Sequence, residues 1–466
     1  MDLLEQLNQY RNTMLPMHMP GHKRNTELAP YLSELLASCD ITEASGFDNL
    51  HSAHGILKEG MEQAATLWGS KRAFWLVNGS TCGILSGIKA SVPIGGKVIC
   101  ARNCHKSVYN ALSLIRAVPV FLMPETEAET GTFGPLKPDN VAAALEENPD
   151  AKLVILTSPT YEGVISDISG ICRAAHAKGI PVLVDEAHGA HLGFGYGFPE
   201  GAIHAGADLV VQSLHKTLPS LTQTALLHIN GNIVDERKVE NALSVFETSS
   251  PSYLLMASIS GCINLLETRT PELFSAWHEN IRQFMHKTKD LKKLSLMSGL
   301  WLRDPSKIII QTDHIGMTGA ELADILRRNY HIEPEMAAGN YVVAMTGMGD
   351  TPETMDALAN ALLELDACLN LSEPASFPPP VLPERAMLPH EAEAVPKMII
   401  KLSEAEGCIS AETVWAYPPG IPLVIPGEKL TEQVLSLMQE YLSLGIPLES
   451  TMGNMPKNIY VLQQRH

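Results

Sequence analysis

The sequence has 466 residues, of which 45% are hydrophobic and 18% charged, which excludes a disordered chain, a coiled coil and a collagen and leaves apolar material for two or three domains. Lys+Arg 34 against Asp+Glu 52 gives a formal net charge of −18, a balance that repels a phosphate backbone, so no nucleic-acid partner is expected. No stretch approaches the ~20 apolar residues of a membrane helix, and the eight cysteines form no CxxC pair. No membrane partner, disulfide framework or structural metal is therefore expected. The first residues carry neither a basic region nor an apolar one, so a cytoplasmic protein is the expectation.

In chain order, residues 1–70 read as an N-terminal arm with two polar, turn-rich segments, Met17 to Lys23 and Glu43 to His51. From about residue 73, apolar runs alternate with helical patterns. Strands are predicted at 73–77, 97–100, 118–122, 153–156, 182–184 and 209–211, with 225–229 as a reversed partner. Helices are predicted from Ser80, from Lys106, over 138–147 and over 171–178. The runs are apolar at successive positions, as in strands buried on both faces of a parallel sheet. This predicts an α/β major domain over 71–285 with a mostly parallel sheet. A smaller α/β domain is expected over 286–370, a Pro-rich linker over 371–396 and a C-terminal α+β domain over 397–466. The run Tyr417-Pro418-Pro419-Gly420-Ile421-Pro422 reads as a rigid turn in the last of these.

Four constellations fall at predicted C-terminal strand ends, where open α/β sheets bind ligands. Asn78-Gly79-Ser80-Thr81 opens a helix, where free N–H groups and two hydroxyls suit a phosphate. Read alone, Ser80 is a plain helix cap. His105 follows a strand and suits stacking on a flat ring, or a solvated loop. Asp185 ends a very apolar strand, a costly place for a carboxylate without a cation. A protonated ring nitrogen would serve as that cation, as would an arginine. A metal site from Asp185, His188 and His191 is the competing arrangement. Lys216, in Ser213-Leu214-His215-Lys216, can carry a carbonyl compound as a Schiff base if its pKa is drawn down. Read singly, it is a surface lysine. Together, in this order, the four are what a pyridoxal phosphate site needs: phosphate ligands, a stacking group, a strand-end aspartate and a lysine.

The motifs H-M-P-G-H-K at 18–23, D-N-L-H at 48–51, N-G-S-T at 78–81, N-C-H-K-S at 103–107, V-D-E-A-H-G-A-H at 184–191, S-L-H-K at 213–216, S-S-P-S-Y at 249–253 and Y-P-P-G-I-P at 417–422 span nearly the whole chain. With them the sequence resembles the bacterial ornithine/lysine/arginine decarboxylases, of the aspartate-aminotransferase-like (fold type I) class. The resemblance implies a pyridoxal 5'-phosphate enzyme that releases carbon dioxide from a basic amino acid and leaves a polyamine-type amine. It implies Lys216 as the covalent attachment point, Asp185 on the ring nitrogen and His105 on the ring face. Ser80, Thr81, Ser213 and His215 would hold the phosphate, with His188 close to the cofactor. Thr248 and Ser249 would reach a phosphate across a two-fold axis, in a homodimer or a dimer of dimers. The H-M-P-G-H-K segment starts at residue 18, so the receiver-like N-terminal domain of the long family members is expected to be absent, along with any ring-like assembly built on it. Leu218-Pro219-Ser220 follows the lysine where some relatives carry glycines. For the substrate's distal cation, Glu43, Asp48 and Glu412 are candidates by position. An aminotransferase and a cofactor-binding homologue without activity are the alternative functions. Carbon dioxide against keto-acid production separates the first of these from a decarboxylase.

Overall fold

The computed structural model describes residues 9–10, 12–35, 39–44, 46–127, 130–373, 380–416 and 421–463. Of the segments singled out in the sequence, the first residues, 374–379 of the Pro-rich stretch and 417–420 of the Y-P-P-G-I-P turn lie outside these.

Strand β1 (Leu15–Met17) and helix α1 (Ile56–Trp68) precede the main sheet. The sheet then alternates with helices: β2 (Arg72–Leu76), α2 (Gly79–Ser91), β3 (Lys97–Ala101), α3 (Lys106–Leu114), β4 (Val118–Leu122), α4 (Pro138–Glu147), β5 (Leu153–Thr157), α5 (Ile168–His176), β6 (Val182–Asp185) and β7 (Leu209–Ser213). One helical turn, α6 (Leu214–Thr217), leads towards β8 (Ala225–Ile229). The strand order is β2-β8-β7-β6-β5-β3-β4, and β8 alone runs against its neighbours. The reversed partner predicted at 225–229 is this β8. The apolar strands β6, β7 and β8 are buried along their whole length, as expected for a sheet covered on both faces. Helix α2 packs across β7 and β8. Its Gly83 and Gly87 make that approach feasible, since a Cβ at either would lie 2.8 Å from Leu76 or 2.6 Å from Leu183.

After α7 (Glu236–Phe246), the long helix α8 (Tyr253–Lys287) packs against α1 at one point and against α10 (Pro352–Cys368) at another. Between α8 and α10 lies an antiparallel sheet of β9 (Ser295–Leu296), β10 (Lys307–Gln311), β12 (Met336–Ala338) and β13 (Tyr341–Met345), in the order β12-β13-β10-β9. Helix α9 (Gly319–Tyr330) starts on a capping box of Thr318 and Glu321. It leads into β11 (Ile332–Pro334), which pairs in parallel with β1. β1 and β11 form a two-stranded sheet of their own, which ties the N-terminal segment to the stretch between α9 and the smaller sheet.

Residues from 397 onward have their own core of Val414, Val424, Leu437, Met438 and Ile459, among others. It is built on β14 (Lys397–Lys401), β15 (Val414–Ala416), β16 (Ile421–Val424), α11 (Glu432–Ser443), β17 (Leu448–Ser450) and β18 (Asn458–Leu462). This unit docks on the major sheet through a buried ion pair. Arg102, one residue past β3, sets Nη1 and Nη2 against the two carboxylate oxygens of Glu428 at 2.8 and 2.9 Å. Both side chains are 1% exposed. The guanidinium lies over the Phe121 ring at 4.9 Å. No helix among the described residues is long and apolar enough to cross a membrane.

Removing one partner of such a pair strands a buried charge. Glu428→Ala is expected to cost about 3–5 kcal/mol in equilibrium denaturation. The apolar double substitution Arg102→Met with Glu428→Leu is expected to recover most of that loss. A single variant as stable as the double one would show that the pair does not hold the two units together.

Candidate active site

The strands β2, β3, β5, β6 and β7 all point their C-terminal ends to one edge of the sheet. That edge opens into a cavity of about 440 Å³, in which Ser80, His105, Asp185, His188 and Lys216 come together. Ser80, His105 and Lys216 follow the ends of β2, β3 and β7, Asp185 is the last residue of β6, and His188 lies in the turn after it.

Lys216 sits on α6, the single turn after β7, and is half-buried. Its Nζ lies 2.9 Å from His188 Nε2. Burial draws its pKa below the ordinary lysine value; the charge of Lys307 acts the same way, while Asp185 and Glu335 oppose it. Asp185, 4% exposed, accepts one hydrogen bond from the Ala187 N–H at 3.1 Å. Burial raises its carboxyl above the usual range, and Lys216 draws it partly back. His105 caps α3 through its ring, with Nδ1 2.9 Å from Ser107 Oγ. Burial, then Lys216 and Lys106, lower its pKa to about 4, so the imidazole is neutral at neutral pH. His188 is neutral for the same first reason, and its Nδ1 is buried without a partner.

The other residues named from sequence stand elsewhere. Thr81 is exposed. Ser213 is fully buried, and its Oγ has no hydrogen-bond partner. His215 turns Nδ1 to the Thr224 carbonyl at 3.1 Å, and burial lowers its pKa to about 4. The Thr248 carbonyl sits 2.8 Å from His51 Nε2, and Ser249 is exposed; neither lines the cavity. Asp185, His188 and His191 do not converge: His191 is engaged by Thr217 and Asp304. Among the described residues, no three His, Cys, Asp or Glu side chains are grouped to hold a metal. Glu43 is exposed. Asp48 accepts the N–H groups of Asn49, His54 and Gly55, and Glu412 those of Met452 and Tyr460. All three are absent from the cavity wall.

Three features were not read from the sequence. The H-M-P-G-H-K segment lies directly against the lysine turn. Gly21 donates its N–H to the His215 carbonyl at 2.7 Å, and a Cβ there would sit 2.2 Å from the Thr217 carbonyl carbon. Its close approach accounts for the glycine, and Met19 reaches the cavity wall. Behind Lys216 lies a buried polar cluster. His191 Nδ1 is 3.2 Å from Thr217 Oγ1 and its Nε2 3.0 Å from Asp304 Oδ1. Asp304 Oδ2 takes Lys307 Nζ at 2.7 Å, and Lys307 also donates to the His188 carbonyl at 3.2 Å. Burial opposes ionisation of Asp304, but His191 and Lys307 outweigh it and hold the carboxyl well below its usual range. Lastly, two glutamates line the cavity. The Tyr161 hydroxyl donates to Glu335 Oε1, and the Tyr341 hydroxyl donates to Glu162 Oε1 at 2.9 Å. The loop after β5 and the hairpin of the smaller sheet thus exchange a phenol for a carboxylate in both directions. Tyr161 and Glu162 follow a strand end, so the strand-end rule that located the other groups also covers them.

Comparison with known proteins places this geometry. Residues 3–302 match the Orn/Lys/Arg decarboxylase major domain, and residues 375–452 its C-terminal domain. The chain is 33% identical to an arginine decarboxylase of Bacillus subtilis, over 96% of this chain and 94% of that one. Among solved structures, lysine decarboxylase A from Pseudomonas aeruginosa superposes with a TM-score of 0.75 at 19% identity, covering 95% of this chain and 77% of that one. An alanine–glyoxylate aminotransferase from Nostoc superposes at 0.61 and 15% identity, covering 76% and 95%. The structural likenesses establish the fold, that of the fold type I decarboxylases and aminotransferases. With both domain matches and a relative of this identity along nearly its whole length, the chain belongs to the Orn/Lys/Arg decarboxylase family.

Proposed function

We propose that this chain binds pyridoxal 5'-phosphate and decarboxylates a basic L-amino acid, arginine in the first place. The observation that carries this reading is Asp185: a carboxylate buried at a strand end, on the same cavity as Lys216, with one backbone hydrogen bond. A protonated pyridine nitrogen supplies the countercharge such a group needs. The remaining groups fit the same cofactor. Ser80 stands in the first turn of α2, whose cap residue Asn78 makes no side-chain capping bond; the Gly79 N–H is taken by the Gln223 carbonyl at 2.9 Å, which leaves those of Ser80 and Thr81 for an anion. Ser213 Oγ has no hydrogen-bond partner among the described residues. The neutral His105 ring suits stacking on the cofactor face. Thr81 and His215 complete the proposed phosphate set. The choice of arginine is supported by the relatives named arginine decarboxylase in Bacillus subtilis and Halalkalibacterium halodurans, at 33% and 32% identity.

When bound, the cofactor draws into its ring the electron pair released as the Cα–carboxylate bond breaks. The chain's own residues do the rest. Burial lowers the Lys216 pKa and favours the neutral amine that holds an aldehyde carbon. Asp185 keeps a proton on the ring nitrogen. His188 Nε2, 2.9 Å from Lys216 Nζ, holds that amine in position, and Lys216, which takes up the proton of the substrate's ammonium group when it gives up the aldehyde carbon, returns that proton to Cα. The working unit is proposed to be a homodimer in which Thr248 and Ser249 complete the partner's site.

Lys216→Ala is expected to fold, to release no carbon dioxide from arginine, lysine or ornithine, and to take no borohydride-fixed label. Mixed with a Thr248→Ala/Ser249→Ala variant under subunit exchange, it should recover up to about half of the activity by site counting in a two-fold dimer. Keto acid in place of carbon dioxide from the unaltered enzyme would replace this reading with transamination.

Asp185→Asn removes the ring nitrogen's countercharge and is expected to lower kcat by roughly 10²- to 10³-fold with little change in arginine affinity. A near-native kcat would overturn the pairing.

The cofactor-free chain is also expected to lose stability in acid. His105 and His215 are held at about 4, chiefly by burial, against an ordinary value of 6.5. Below 6.5 the unfolded chain therefore binds more protons than the fold does. His22 is lowered to about 4 in the same way, whereas burial raises the Glu186 carboxyl to about 8 and acts in the opposite direction; the histidines outnumber it, and the denaturation midpoint should fall between about pH 6.5 and 4. A midpoint unchanged from pH 7.5 to 5 would contradict the neutral assignment.

A further inference from the structure

The catalytic cavity runs outward from Lys216 past His188 to Tyr161, whose ring centroid lies 4.5 Å from that of His188. The next residue, Glu162, lines this cavity and also a smaller one of about 80 Å³, walled in part by Tyr341 and Ile421. Glu162 is 3% exposed. Its Oε1 accepts the Tyr341 hydroxyl, the one hydrogen bond its carboxylate makes among the described residues. The nearby Arg303 does not neutralise it directly, since its Nη1 donates to the Glu162 backbone carbonyl at 3.3 Å. Glu335 differs: both its oxygens are engaged, one by the Met19 N–H at 2.8 Å and the other by Tyr161. It acts on Lys216 electrostatically and so belongs to the lysine end of the cavity.

A carboxylate this deeply buried, fixed at one oxygen and open at the other, is costly until a cation meets it. Arg303 acts on Glu162 through its charge but makes no bond to the carboxylate, and Asp185 and Lys216 are committed to the cofactor, so a cation in direct contact with the open oxygen comes from the ligand. A guanidinium presents a planar fork of donors, stays charged, and carries weaker hydration than an ammonium, which suits a site this dry. We propose that Glu162 binds the distal guanidinium of the substrate and sets the enzyme's preference for it. Tyr341 orients the receiving carboxylate, and Glu335 fixes Tyr161 as the wall between this subsite and the lysine. The inference rests on the decarboxylase reading above but concerns only the far end of the cavity.

The test compares L-arginine with L-citrulline, which has nearly the same shape and no charge. Half-saturation is read from the absorbance change of the holoenzyme, and carbon dioxide release is followed separately. The unaltered enzyme is expected to favour arginine strongly. Glu162→Gln should raise the half-saturation for arginine by roughly 30- to 100-fold, the scale of a truncated buried charge pair, and leave that for citrulline nearly unchanged. Glu162→Asp should restore part of the preference. If Glu162→Gln does not fold, Tyr341→Phe keeps the carboxylate but frees it, and should raise the arginine value by about 3- to 10-fold. An arginine half-saturation that moves no more than that of citrulline in the folded variants overturns the proposal, even if carbon dioxide is still released. An unaltered enzyme with no preference for arginine over citrulline overturns it too. Preference for arginine that collapses in Glu162→Gln, in an enzyme that yields keto acid and no carbon dioxide, sustains the subsite and rejects the decarboxylase reading.

Discussion

Parallel strands that start together also end together, and in this chain that geometric constraint decides where charge can be buried. Asp185 and Lys216 follow neighbouring strands, β6 and β7, so two opposite charges arrive at one edge of an otherwise apolar sheet. Neither sits comfortably there. Burial disfavours the ionised form of each, and the mutual attraction offsets only part of that cost. A site so arranged is prepared for a cofactor that supplies a positive ring nitrogen and takes up the amine. The surrounding histidines follow the same logic, since burial keeps His105, His188 and His215 neutral next to a lysine.

A site under that tension needs walls that do not yield. The smaller sheet supplies one through the Asp304–Lys307–His191 cluster, in which every side chain is fully buried. The C-terminal unit supplies another through Arg102, which immediately precedes Asn103 on the cavity wall. The crossed phenol–carboxylate bonds of Tyr161, Glu162, Glu335 and Tyr341 add a third connection. Shear between the two sheets would break both bonds at once and strip the buried Glu162 of its side-chain hydrogen bond, so the width of the cavity is fixed by side chains that also face the ligand.

How much of this could be read from the sequence follows from how local each signal is. The strands β4 and β8 and the helix α4 appear where the apolar runs and the Pro138 start place them, because a buried strand or a proline-initiated helix is written in adjacent residues. The strand-end residues Ser80, His105, Asp185 and Lys216 were legible for the same reason. Glu335 and Asp304 were not: each reaches the site from a different sheet, more than 80 residues beyond Lys216, and no local pattern announces it. Asp48 and Glu412 drew attention as polar residues in site-like segments, yet their carboxylates brace backbone N–H groups. Turn chemistry and ligand chemistry use the same residue types, and only the fold separates them.

The pairing of β1 with β11 joins Leu15 to Ile332, across almost the full span of the two α/β sheets. A chain made from its N-terminus exposes residues 15–17 long before residues 332–334 exist. The loop to be closed is among the longest in the protein, and its closure entropy is not repaid by local contacts on the way. Met19 and Gly21 lie just past that strand, one on the cavity wall and the other against the turn that carries Lys216. The mouth of the site is therefore assembled after the major sheet. Until the smaller sheet has formed, the lysine edge of the major sheet stands open to solvent, and a nascent chain passes through a stage with its strands complete and its cavity still unwalled.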